Sequence, residues 1–151
     1  MMRVAGGDAV PRTKLLRILI PLSGSESDAS ALRVAAEMAR RDAQIFLLHA
    51  RPGPDEEQYP DLTPGPSEAE GVKRRLESES IFAQANAILA SRGLTSADQV
   101  TIKGKPAEAI LRYANHIGAE LIVLTAGGAG QVLDRATCAV LVARSGMERK
   151  N

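Results

Sequence analysis

The sequence has little cysteine, few aromatic residues and almost no net charge, and each shortage excludes a class of protein. Its single cysteine, Cys138, rules out an intramolecular disulfide framework and a metal site of several thiolates. With no tryptophan, two tyrosines and two phenylalanines, the chain lacks the rings on which RNA and single-stranded DNA bases stack. The net charge of +1 favours neither a nucleic-acid partner nor a membrane surface.

Long hydrophobic runs are also missing, since no stretch reaches the roughly 18 apolar residues of a membrane-spanning helix. We therefore expect a cytoplasmic protein. With 151 residues the chain is long enough for one domain with a substantial core. We expect this domain at 15–145, between flexible tails at 1–14 and 146–151. Residues 51–66 hold five of the eight prolines, which predicts an exposed loop.

Within the domain, strand and helix signals alternate. Short apolar runs predict strands at 15–22, 44–50, 99–103, 121–126 and 138–142. Helices are predicted at 25–41, 67–92 and 105–118, with a last, very short helix at 131–137. This order predicts an α/β fold in which helices cover both faces of a parallel sheet.

Two turns at the carboxyl ends of strands are candidate anion sites. Residues 23–28 (SGSESD) follow the first strand, and Ser25 and Asp28 have the spacing of a capping box. Gly127 and Gly130 follow the fourth strand, where glycines allow the backbone to approach a ligand. Such turns also serve as plain connections, and so little chain separates the last two strands that we expect a final helix of at most about two turns.

The remaining polar residues favour structural roles. His49 ends an apolar strand, His116 lies late in a helix, and Cys138 opens a buried strand. The two histidines have no metal-ligand spacing, so no metal site is expected. In the long second helix, Val72, Leu76, Ala83 and Ala87 fit one apolar face, with Phe82, Ala85 and Leu89 beside it.

Five segments, in order along the chain, resemble the universal stress protein family. They are 18–35, which contains ILIPLSGSES and ALRVA, then 47–50 (LLHA), 104–110 (GKPAEAI), 118–124 (GAELIVL) and 136–142 (ATCAVLV). The resemblance implies a Rossmann-like, adenine nucleotide alpha hydrolase-like sandwich with strand order 3-2-1-4-5. It also implies a homodimer formed through the last strand, here Cys138 to Arg144, whose long apolar edge would otherwise favour aggregation.

Members of the family that bind ATP carry an aspartate after the first strand and the motif Gly-x-x-Gly, nine residues, then Gly-Ser/Thr. Here Ser23 stands at the aspartate position. Gly127 and Gly130 match the first half of the motif, but nine residues further lie Val140 and Leu141. The second half is therefore missing, and fewer N–H donors face a triphosphate. A smaller adenine ligand is expected to contact a set that we call the nucleotide residues: Leu22, Ser23, Ala50, Gly127 and Gly130.

Three functions follow from these observations. The first is a stress-response or regulatory module, dimeric as the family resemblance implies, with weak or no ATP binding and no catalytic residues. The second is an adenine-nucleotide sensor that uses the turns after Ser23 and Gly127, with AMP or ATP as cofactor. The third is an enzyme, because residues 23–28 loosely resemble the Ser-Gly-Gly-x-Asp-Ser turn of ATP pyrophosphatases.

Overall fold

The computed structural model describes residues 17–51, 68–127 and 129–144. Both predicted tails and nearly all of the predicted proline-rich loop lie outside these residues. The strands are β1 (Arg17–Leu22), β2 (Gln44–Arg51), β3 (Ser96–Lys103), β4 (Leu121–Thr125) and β5 (Ala139–Ala143). The helices are α1 (Asp28–Met38), α2 (Glu68–Ala90), α3 (Pro106–Ile117) and α4 (Ala129–Arg135).

The five strands form one parallel sheet in the order β3-β2-β1-β4-β5, which confirms the predicted fold. Its central strand β1 is buried on both faces, since Ile18, Leu19 and Ile20 have no exposed surface. Pairing between β1 and β4 covers only Ile18 and Leu19 of β1. Pro21 lies beyond this ladder and has no N–H to extend it.

Helices cover both faces of the sheet and create two hydrophobic cores. The first core joins α1 and α2 to one face through Leu32, Ala35, Phe82 and Leu89. The second joins α3 and α4 to the other face, around Ile110 and Val132 among other residues. Buried polar side chains are Asp28, Ser30, His49 and Ser78, and they belong to α1, α2 and β2.

Helix α3 follows the sequence signals closely. Pro106 opens the first turn, where its missing N–H has no intrahelical partner to lose. Gly118 ends the helix with φ +67°, a left-handed conformation that favours glycine. In contrast, α1 ends at Met38, three residues before the predicted end, because Ala39 already adopts an extended conformation.

The predicted apolar face of α2 is wrong, whereas the three residues predicted beside it, Phe82, Ala85 and Leu89, are buried. Val72 and Leu76 are 41% and 58% exposed, and Ala83 and Ala87 are exposed as well. The side chains that α2 buries are Ser78, Phe82, Ala85 and Leu89. Every residue from 71 to 77 is exposed, so only the later part of the helix packs on the sheet and the apolar residues before it have no core to join.

Helix α4 has seven residues, which confirms the expected limit of about two turns. Only residues 136–138 then connect it to β5, a strand at the edge of the sheet. Among the described helices, none combines the length and apolar character that crossing a bilayer requires.

Candidate functional site

The nucleotide residues all lie at the carboxyl edge of the sheet. Leu22 ends β1 and pairs with His49, while Ala50 is the penultimate residue of β2. Ser23 follows β1 directly, Gly127 lies shortly after β4, and Gly130 lies in the first turn of α4. Strands β2, β1 and β4 are neighbours, so the structure brings these ends side by side.

The edge opens between β1 and β4. Their ladder stops at Leu19 and Ile122, well before the carboxyl end of either strand. Connections leave β1 toward one side of the sheet and β4 toward the other. Open α/β sheets bind ligands in the crevice at such a switch in strand order.

Helix α1 begins beside this crevice, and its first residue closes the turn after β1. The Asp28 carboxylate accepts hydrogen bonds from the backbone N–H of Ser23, at 3.0 and 3.1 Å to its two oxygens, and from the N–H of Gly24 at 2.7 Å. The Ser23 hydroxyl donates to the same carboxylate at 2.9 Å. Asp28 is 9% exposed, so this carboxylate is a fixed part of the turn.

This geometry corrects the predicted capping box. The helix is capped at Ser27, which forms no side-chain capping bond, and Asp28 turns back toward Ser23. The sequence predicted that backbone N–H groups of this turn could bind an external anion. Instead, the N–H groups of Ser23 and Gly24 donate to the Asp28 carboxylate. Sequence reasoning missed this role of Asp28, and the only signal for it was an acidic residue six positions after a strand end.

Gly24 is required by the turn. Its φ of +88° lies in the left-handed region, and a Cβ there would lie 3.0 Å from Cδ1 of Ile81 in α2. Gly127 and Gly130 differ on both counts. Neither has a φ in that region, and a Cβ at either position would meet no atom within 4 Å. Among the described residues, the turn after β4 therefore has open space beside both glycines.

His49 lies between the crevice and α2. Its Nδ1 is 2.9 Å from the Ser78 hydroxyl, and its ring packs edge-on against Phe82. Burial lowers the pKa of His49, and the positive charge of Arg51 lowers it further, while the carboxylates of Asp28 and Glu77 act in the opposite direction. This arrangement keeps His49 neutral and held in place, as expected for a structural histidine.

The other candidate residues are similarly ordinary. His116 is exposed and stacks on Tyr113, whereas Cys138 is half-buried against the second core. Burial raises the pKa of the Cys138 thiol, which makes it a poorer nucleophile. Across the described ranges, no group of three or more His, Cys, Asp or Glu residues could hold a metal ion.

Comparison with known proteins supplies the family. The sequence model of the universal stress protein family matches residues 15–144. The chain belongs to the universal stress protein family. This result confirms the predicted assignment to a family of stress-response proteins.

Relatives of known sequence and structure agree with this assignment. A universal stress protein from Thermus aquaticus, named for its place 3′ of a QAH/OAS sulfhydrylase, is 37% identical over 117 residues, or 76% of this chain and 80% of that protein. The crystal structure of a family member from Burkholderia pseudomallei is 30% identical and covers 87% of this chain and 98% of its own, with a TM-score of 0.68.

A second similar structure carries a ligand. The universal stress protein from Archaeoglobus fulgidus in complex with dAMP is 21% identical, covers 85% of this chain and 97% of its own, and has a TM-score of 0.66. At this identity the likeness concerns the fold. Within that fold, β5 starts at Ala139, so the place of the missing Gly-Ser/Thr is taken by the strand itself.

Proposed function

We propose that this universal stress protein is a homodimeric regulatory module with weak or no affinity for ATP and no catalytic activity. The observation that carries the proposal is the short connection between β4 and β5, with α4 of seven residues and only residues 136–138 after it. A loop that wraps a triphosphate would need additional residues there, whose N–H groups would compensate the phosphate charges.

The turn after β1 supports the same conclusion. Its Ser23 and Gly24 N–H groups donate to Asp28 and are not available to a phosphate. The Asp28 carboxylate also places a negative charge at the crevice, where it repels a polyphosphate. Both sides of the crevice therefore disfavour ATP, one through missing donors and the other through occupied ones.

The test is isothermal titration with ATP and magnesium, with the Thermus aquaticus relative measured in parallel as a family reference. We expect no stoichiometric binding at micromolar concentrations. Tight one-to-one binding would overturn the proposal, and steady release of phosphate or pyrophosphate would show an enzyme in place of a binding module.

Dimerisation through Cys138 to Arg144 is the second part of the proposal. β5 is an edge strand made entirely of apolar residues, and of these only Ala143 is fully buried. Unpaired apolar edges favour association, and a symmetric dimer gives the edge a specific partner.

Light scattering tests the dimer across a range of protein concentrations. Ala139→Lys adds a charge at an exposed position of β5 and should shift the dimer toward monomer, because like charges meet across a symmetric interface. Ala87→Lys, exposed on α2, is the matched control and should leave the mass unchanged. An unchanged mass in both variants would place the interface elsewhere.

A second candidate function is binding of a nucleoside monophosphate by the nucleotide residues. It is favoured by the open space at Gly127 and Gly130, where neither the backbone conformation nor packing against the described residues requires glycine. Solved structures of similar fold are named as complexes with dAMP, cAMP and AMP. In this reading a single phosphate faces the turn after β4, away from Asp28.

A cytoplasmic location stays a prediction.

Thermal unfolding with AMP tests the second candidate. AMP should raise the melting temperature of the natural protein, and Gly127→Val should remove that increase because its side chain fills the open space. Ala87→Val, an exposed change on α2, is the control. An AMP response that is absent in the natural protein, or retained in Gly127→Val, would remove this candidate.

A further inference from the structure

A separate cleft lies between α2, the last residue of β2 and the middle of β3. It is an open cleft with a volume of about 390 Å³, within the range of small-molecule sites, and Phe82 forms part of its wall. It shares no residue with the nucleotide residues and lies on the far side of β2 from the β1–β4 crevice. Any ligand in it would therefore contact a different part of the sheet edge.

Two arginines line this cleft, Arg51 from the end of β2 and Arg75 from α2. The Nε of Arg51 is buried and, among the described residues, has no hydrogen-bond partner. Throughout the described part of the chain, neither guanidinium lies within 4 Å of a carboxylate. A buried donor of this kind is normally satisfied, and Nε belongs to the fork with which a guanidinium binds an oxyanion.

Neutral hydrogen-bonding groups complete the lining. Thr101 lies on β3 beside His49 of β2, and Ser78 lies on the α2 side, where its hydroxyl pairs with His49. Gln99 is held by the side-chain amide of Asn86, which donates to Gln99 Oε1 at 3.0 Å. Charged and neutral polar residues from three elements thus line one space.

Among the described residues that line the cleft, Glu79 is the one acidic side chain, one helical turn after Arg75. Two arginines and one glutamate leave a small positive excess, which suits a single anionic group and disfavours a polyanion. We propose that this cleft is a second ligand site that binds one phosphate group, either as free phosphate or at the end of a small phosphoester.

Inorganic phosphate is the first probe and glycerol 3-phosphate the second, each compared with sodium chloride at equal ionic strength. Binding is followed by the melting temperature and by the NMR signal of the Arg51 Nε–H. We expect phosphate, but not chloride, to raise the melting temperature and shift that signal. A stronger response to glycerol 3-phosphate would identify a phosphoester site, and a stronger response to phosphate would identify free phosphate.

Matched variants locate the effect. Arg75→Gln, at an exposed helix position that should fold normally, is expected to weaken phosphate binding about tenfold through the loss of one charged contact. Arg51→Gln should weaken it at least as much. Lys73→Gln removes the same charge from the same helix outside the cleft and should leave binding unchanged. Glu79→Gln should tighten binding, because it removes the negative charge that the described lining carries.

Three results would overturn the proposal. The first is a response to phosphate no larger than the response to chloride. The second is equal weakening in Arg75→Gln and Lys73→Gln, which would indicate general charge screening. The third is no gain in Glu79→Gln. Gly127→Val should keep the full phosphate response, so failure of the nucleotide proposal and failure of this one give different results.

Discussion

The two turns that border the β1–β4 crevice differ in how their space is used. After β1, Ser23 and Gly24 wrap around the carboxylate of Asp28, and Gly24 is held by its left-handed φ and by contact with Ile81. After β4, Gly127 and Gly130 have ordinary φ values and free space beside them. One turn satisfies its own donors, while the other leaves room for an external group.

This difference shows that a glycine turn at a strand end is not by itself a ligand site. Gly24 serves the backbone, because a side chain at that position would be strained whatever the ligand. Gly127 and Gly130 serve neither backbone nor packing in the described residues. The comparison can be tested by substitutions that should act oppositely in the two turns.

The largest effect is expected for Asp28→Ala. The change leaves the Ser23 and Gly24 N–H groups without their carboxylate and should lower the free energy of unfolding by about 2–3 kcal/mol in a urea titration. Glu26→Ala, at an exposed position in the same turn, should change it by less than about 0.5 kcal/mol. Equal effects of the two changes would mean that the closed turn contributes little to stability.

Gly24→Ala should be next in size. Alanine at φ +88° is strained, and its Cβ would meet Ile81 at 3.0 Å. We expect the free energy of unfolding to fall by about 1–2 kcal/mol, measured in the same way. A neutral effect would show that the turn relaxes easily.

Gly130→Ala should act in the opposite direction. The residue is helical and exposed with open space around it, so alanine should raise the free energy of unfolding by roughly 0.5–1 kcal/mol. Calorimetry of the natural protein and the variant measures the change. A loss of stability in Gly130→Ala would indicate that Gly130 contacts another part of the protein, and the contrast with Gly24 would then disappear.

The smallest effect concerns His49, which links the closed turn to α2. Its pKa in the folded state lies below the ordinary 6.5, chiefly through burial, so the unfolded chain binds the proton more readily. The stability contributed by neutral His49 is complete above that value and is lost as the pH falls from 6.5 toward the folded pKa. Asp28→Asn should lower the folded pKa further, because the Asp28 carboxylate raises it.

NMR titration of the His49 ring measures this pKa directly, and urea unfolding from about pH 7.5 to 5.5 measures its effect on stability. His49→Gln should flatten the decline in stability over that range. A His49 pKa that rises in Asp28→Asn would contradict the assigned direction.

Much of the fold could be predicted because its signals are local. Buried parallel strands appear as short apolar runs, and Pro106 and Gly118 mark the ends of α3 without reference to any other element. The limit on α4 followed from the length of chain between two apolar runs. The strand order, in contrast, came from the family resemblance, because the sequence of a single strand does not show which strands pair with it.

The errors arose where a residue's role depends on distant neighbours. Spacing placed Asp28 in a capping box, but only the path of the chain after β1 decides which N–H groups its carboxylate reaches. Val72 and Leu76 fit an apolar face by period, yet that part of α2 buries nothing. The cleft between Arg51 and Arg75 combines residues from α2, β2 and β3, so no local sequence motif could predict it.

The short connection between β4 and β5 also affects the order in which the sheet can assemble. Leu121 pairs with Ala139 across a short stretch of chain, whereas Ile18 must find Leu121 across most of the domain. Because the entropy lost in closing a loop grows with its length, β4 and β5 form the least demanding parallel pair of the sheet. Pulse-labelled hydrogen exchange during refolding should therefore show protection at 121–125 and 139–143 before the β1–β4 pairing that completes the sheet.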